Sequence, residues 1–188
     1  MSLPPNDQLL SCRRPMVAVS RCLLGEEVRY DGGSYRVPWI VEVLSEHCDI
    51  FSLCPEVAAG LGVPRPPVRL CMLDGSLSLL GRDDPTLEVT ADLLSASYGI
   101  LDDLSVIDGF ILKSRSPSCG VADTPMFDCS DPPTEIGTGS GLFTQLVRKK
   151  LPSAPVVDEN GLLDEAGRVS FLVSVFRHCC RRHVRQPA

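Results

Sequence analysis

The strongest constraint on the fold is an alternation of short apolar runs with longer stretches of helical periodicity. Met16–Ser20 (MVAVS), residues 50–53 (IFSL) and Gly109–Leu112 (GFIL) read as strands, and residues 77–80 as a further short one. Residues 38–48 (PWIVEVLSEHC) and 89–104 (VTADLLSASYGILDDL) carry a helical pattern between them. Residues 141–151 (GLFTQLVRKKL) predict a helix, 155–157 a last strand, and 165–179 a final helix whose cationic end suits its C-terminal dipole. Strands alternating with helices in this way predict an α/β fold. The expectation is a single Rossmann-like domain with a mainly parallel open sheet and helices on both faces.

A chain of 188 residues is one domain of ordinary size. The expected layout is a flexible N-terminal tail over 1–15, the α/β domain over 16–178 and a basic C-terminal tail over 179–188. No apolar run approaches the ~20 residues a membrane span needs, so no membrane partner is expected. The first residues have neither the cationic head nor the apolar stretch of a signal peptide, and the expected location is cytoplasmic. A net charge of −6 gives no general attraction to nucleic-acid backbones. Only local patches such as Arg148-Lys149-Lys150 or the cations of 177–185 could supply one.

The nine cysteines are an odd number without the compact spacing of a disulfide framework, which leaves reduced thiols or a metal centre. In an open parallel sheet, ligands bind beyond the carboxyl ends of the strands. Cys22 follows the first predicted strand, Cys54 the second, and Cys119 the strand at 109–112. Proline and glycine flank them, as in tight loops that present side chains to a site. Thiolates are soft ligands that select zinc or iron–sulfur centres. No Cys-x-x-Cys pair of the structural-zinc kind occurs here. Three widely spaced thiolates suit a cubane held at three irons with the fourth left open as a Lewis acid. On spacing alone, both metals stay open.

Taken together and in order, four blocks resemble the thiouracil desulfurase family over about residues 16–176: SRCLLGEEVRYDGGSYR (20–36), LCPEVAAGLGVPRPPVRL (53–70), GFILKSRSPSCGV (109–121) and GSGLF (139–143). The resemblance implies a [4Fe–4S] cluster bound, by position, through Cys22, Cys54 and Cys119, with its unique iron taking the sulfur of a thiolated pyrimidine. It also implies Glu56 and Ser118 as acid–base helpers in a hydrolytic, non-redox conversion of thiouracil to uracil and hydrosulfide. Aerobic handling could strip such a cluster and leave the thiols free, oxidised or holding zinc. Two alternatives accompany this reading. One is 4-thiouridine in tRNA as the substrate, because residues 62–70 (GVPRPPVRL) look most like longer members with that activity, although this sequence stops at Ala188. The other is a non-enzymatic metal-binding or sensing module. Arg21 departs from the family pattern, standing where a small residue is expected before the first ligand.

The remaining candidates follow from local chemistry. Tyr30, Asp31, Gly32 and Gly33 read as a turn, and through the resemblance as a substrate-contacting loop. Gly139 and Ser140 belong to a glycine-rich run ahead of a predicted helix, whose amides could hold an anion or a pyrimidine carbonyl. Lys113 and Arg115 would offset the charge of a thiolate-bound cluster. Cys12, Cys48, Cys71 and Cys129 read as packing or stray thiols, and Cys179-Cys180 as incidental to a basic tail. His47, His178 and His183 sit in no matched motif, which counts against a Cys/His hydrolase.

Overall fold

The computed structural model describes residues 14–73, 75–103 and 106–185. Cys12 lies outside them. The apolar runs pair as predicted into a four-stranded sheet, β1 (Met16–Ser20), β2 (Asp49–Leu53), β5 (Gly109–Leu112) and β8 (Val156–Asp158), in the order β2-β1-β5-β8. Every pairing in it is parallel. Val17, Val19 and Ile111 point to one face and meet Ile40, Leu44, Phe171 and Val175. Ala18, Phe110 and Leu112 point to the other and meet Leu101, Phe143 and Val147. A strand buried on both faces must be apolar at every position, which is why β1 and β5 show no alternation.

The first face is covered by the helical segment 38–47, wound as a π-helix over Ile40–Leu44 and as α1 (Ser45–His47) beyond it, and by α5 (Glu165–Arg185). The opposite face is covered by α3 (Thr90–Asp103) and α4 (Leu142–Lys150). α5 lies so close that a Cβ on Gly109 would come within 2.7 Å of Val175 Cγ2, so β5 has to begin with glycine. α5 also runs past the predicted helix end at 179, and residues 179–185 are helical where a basic tail was expected. Cys179 is buried, and Arg182 pairs with both oxygens of the buried Asp108 at 3.1 Å. Asp108 Oδ2 also accepts the Met16 amide at 3.0 Å, tying α5 to the entrance of β1.

A second four-stranded sheet, which periodicity did not reveal beyond residues 77–80, stands beside the first. It comprises β3 (Val68–Leu73), β4 (Ser76–Gly81), β6 (Thr124–Phe127) and β7 (Glu135–Gly139), in the order β4-β3-β6-β7. Its pairings are antiparallel at both edges and parallel in the middle. Leu70 and Leu79 pack with Val89, Leu93 and Leu142, which fastens this sheet to α3 and α4. The molecule is therefore an α/β domain with a mainly parallel main sheet and a smaller mixed one. No described helix is long and apolar enough to cross a membrane.

In the main sheet the chain leaves β1 toward β2 on one side and reaches β5 on the other. That reversal opens a crevice at the carboxyl ends of β1 and β5. The beginnings of β3 and β6 close it from the second sheet through Pro67, Val68 and Pro125.

Candidate active site

The crevice is a cavity of about 510 Å³, within the ~300–1,000 Å³ range of small-ligand sites. Cys22, Cys54 and Cys119 all line it. Cys22 sits in the 3-10 turn Arg21–Leu24 directly after β1, a turn ended by Gly25 at φ +99°, the left-handed conformation that favours glycine. Cys54 is extended and joins β2 to α2 (Pro55–Ala58). Cys119 closes the loop after β5, where Ser116 Oγ accepts its amide at 3.1 Å and Thr144 Oγ1 donates to its carbonyl at 2.8 Å. The loop can be this tight because Gly120 and Gly141 lack side chains. A Cβ on Gly120 would lie 1.8 Å from Thr124 Oγ1, and one on Gly141 would lie 2.5 Å from the Ser118 carbonyl.

All three carry free thiols. Burial, and then the neighbouring Cys54, pushes the Cys22 thiol up to about 11. Burial likewise raises Cys54, against the opposing pull of the Val57 amide. Cys119 is raised well above the ordinary range, first by burial and then by Cys54, with the Ser20 hydroxyl opposing.

Glu56 lines the cavity, only 8% exposed, with both oxygens engaged. Oε1 accepts from Ser118 Oγ at 2.8 Å, and Oε2 from Arg65 Nε at 2.8 Å. Arg65 also donates to the Val28 and Gly62 carbonyls, both at 3.0 Å. Ser118 is fully buried behind this carboxylate and is not itself part of the lining.

Lys113 lines the cavity with its ammonium on Glu159 and Ser114 Oγ and over the Tyr35 ring at 4.6 Å. Glu159 is the first residue past β8 and also accepts the Ser114 amide at 2.9 Å. Burial alone would raise its carboxyl, but hydrogen bonds from Lys113 and Ser114 outweigh this and hold it below the usual range. Arg115 lines the cavity at a left-handed φ of +57°, its amide held by Asp123 at 2.9 Å. Arg21, Arg29 and Arg82 complete a cationic lining in which, among the described residues, Glu56 is the one acid. Arg21 is turned onto Glu26 at 2.6 Å.

The turn at 30–33 divides. Tyr30 lines the cavity, whereas Asp31, Gly32 and Gly33 do not. Asp31 is occupied by Arg29 at 3.1 Å and the Gly33 amide at 3.0 Å, with Gly32 at φ +78°. Gly139 and Ser140 also lie outside the lining. Gly139 belongs to β7, and Ser140 Oγ bonds to the Val121 carbonyl. The first amides of α4 are taken by the Pro117 carbonyl at 3.1 Å and the Ser118 carbonyl at 2.9 Å. The end of the glycine run and the start of α4 hold the Cys119 loop, with the Gly141 amide on the Gly120 carbonyl at 2.8 Å. Arg65, Glu159, Arg82 and Ser20 escaped the sequence reading. Glu159 was within reach of it, because the strand-end rule that found the cysteines applies equally to the predicted strand at 155–157.

Three thiols gathered at the carboxyl edge of a doubly covered parallel sheet mark this chain as an α/β protein with a thiol-lined ligand pocket. The model of the 2-thiouracil desulfurase family matches residues 17–159, and the chain belongs to that family. It is similar to the uncharacterized protein YbbK of Bacillus subtilis (strain 168), 28% identical over 158 residues that span 79% of this chain and 99% of that one. It is also similar to the solved structure of the [4Fe-4S]-dependent thiouracil desulfidase TudS, with a TM-score of 0.64 and 31% identity over 83% of this chain and 98% of that chain.

Proposed function

We propose that this chain is an iron–sulfur-dependent desulfidase that removes sulfur hydrolytically from a small thiolated pyrimidine. The observation that carries the reading is the meeting of Cys22, Cys54 and Cys119, from three strand ends, in one cavity with Glu56. The donor set fits a cubane. Cys22, Cys54 and Cys119 all line the one cavity, and each acts electrostatically on another. A polynuclear cluster takes each such thiolate on a different corner. The cationic lining suits the net negative charge of a thiolate-ligated cluster. When bound, the cluster would supply a Lewis-acidic iron for the thione sulfur.

The protein's own groups manage protons and water. Glu56 Oε1, oriented by Ser118 Oγ and by Arg65 on the opposite oxygen, takes the proton of the water that attacks the thione carbon, and returns it to the departing sulfur. Thione plus water gives carbonyl plus hydrogen sulfide, and no electron is consumed. Lys113 and Arg115 offset the thiolates, while Pro67, Val68 and Pro125 wall the ring's side of the cavity.

The test is turnover by anaerobically reconstituted protein. Free 2- or 4-thiouracil should release sulfide at rates nearly unchanged between low and physiological salt, because a small neutral ring meets little screening. Glu56→Gln should keep the cluster's absorbance and lose turnover. Inertness toward free bases with strongly salt-dependent release from thiolated tRNA would replace this substrate with the alternative. A fully active Glu56→Gln protein would remove that carboxylate from the mechanism.

A further inference from the structure

Away from the cavity, on the second sheet, two cysteines that read as packing or stray thiols stand side by side. Cys71 lies in the middle of β3, paired in register with Phe127 of β6, and Cys129 follows two residues later on the loop toward β7. Cys129 Sγ donates to the carbonyl of Met72, the residue next to Cys71, at 3.2 Å, which brings the two side chains to the same part of the sheet. Their surroundings are unequal. Cys71 is 1% exposed, whereas Cys129 is open to solvent.

A cation completes the cluster. Arg69, two residues before Cys71 on the same face of β3, reaches over the Phe127 ring at 5.8 Å. Its Nε is buried and finds no hydrogen-bond partner among the described residues. A buried guanidinium N–H without an acceptor is costly, and a thiolate beside it is favoured. Burial pushes the Cys71 thiol up, with Arg69 opposing.

We propose that Cys71 and Cys129 are a reversible redox couple that a hydroperoxide closes to a disulfide. Cys129, the accessible partner, attacks the terminal peroxide oxygen. The O–O bond breaks, an alcohol or water leaves, and Cys129 becomes a sulfenic acid. The Cys71 thiolate, favoured by Arg69, then attacks that sulfur, forming the S–S bond and expelling the oxygen as water. Two thiols and one peroxide give one disulfide, one water and one alcohol (a second water from hydrogen peroxide), with two electrons passing from sulfur to oxygen. The disulfide ties the middle of β3 to the loop that leaves β6, two strands whose beginnings, Val68 and Pro125, wall the cavity.

The test treats the cluster-loaded full-length protein anaerobically with one equivalent of hydrogen peroxide, blocks free thiols, and maps disulfides by peptide mass spectrometry without reduction. The expected product is a Cys71–Cys129 cross-linked peptide, about tenfold more abundant than any other cysteine pair and removed by a small dithiol. Cys71→Ser should leave Cys129 as a sulfenic acid that a dimedone probe traps, and Arg69→Met should slow closure without preventing that trapping. Because the pair lies off the cavity, Cys129→Ser should keep unoxidised turnover. The proposal is overturned if Cys71 stays alkylatable while Cys129 oxidises further, or if Cys129 cross-links only between chains.

Discussion

Arg65→Met removes the guanidinium that holds Glu56, and its cost can be worked from the contacts. The substitution deletes the Nε bond to Glu56 Oε2 and the donors to the Val28 and Gly62 carbonyls, and leaves a carboxylate that is 8% exposed with only Ser118 to answer it. Removing one partner of a buried ion pair costs ~3–5 kcal/mol. In a chain of this size that lowers the melting temperature by roughly 6–20 °C. Adding Glu56→Gln to Arg65→Met removes the stranded charge, so the double variant should be more stable than Arg65→Met alone by ~2 kcal/mol. Thermal unfolding of the four proteins in the cycle reads both effects. A cost below ~1 kcal/mol for Arg65→Met, with no recovery on adding Glu56→Gln, would refute the idea that this pair is buried and coupled.

Glu159→Gln should lower stability near neutral pH by ~2 kcal/mol, the scale of its charge-assisted hydrogen bonds. Since the folded protein holds the Glu159 carboxyl below its unfolded value, its contribution is present above the unfolded value and lost as pH falls through the folded one; the variant should therefore show a flatter acid limb in melting temperature against pH. Gly141→Ala should disable cluster binding and turnover while circular dichroism stays native, because its Cβ would collide with the Ser118 carbonyl at 2.5 Å. Gly99→Ala, on α3 with no neighbour within 4 Å, should instead stabilise by ~0.5–1 kcal/mol in the same melting assay.

The main sheet was legible because its strands are short apolar runs buried on both faces, and the cysteines were legible because they follow those runs. The second sheet was not. β6 (TPMF) carries a proline and a register shift beside Phe127, and β7 (EIGTG) has a single large apolar residue, so neither shows strand periodicity. The glycine run at 137–141 was ambiguous for the same reason. Small residues before a helix leave room either for an anion or for another backbone, and no local pattern says that Gly141 lies against the Ser118 backbone. Arg65 stood inside a block quoted for its resemblance. Its partnership with Glu56 spans nine residues and requires the chain to turn back after α2, which no local pattern encodes.

The most direct test of the central claim is the iron and sulfide content of anaerobically reconstituted protein, measured together with thiouracil turnover, for the native chain and for Cys22→Ala, Cys54→Ala, Cys119→Ala and the buried control Cys48→Ala. The account predicts about four irons and four sulfides per chain in the native protein and in Cys48→Ala. Cluster and turnover should be lost together in each of the other three. A native level of cluster and activity in any one of those three would contradict it.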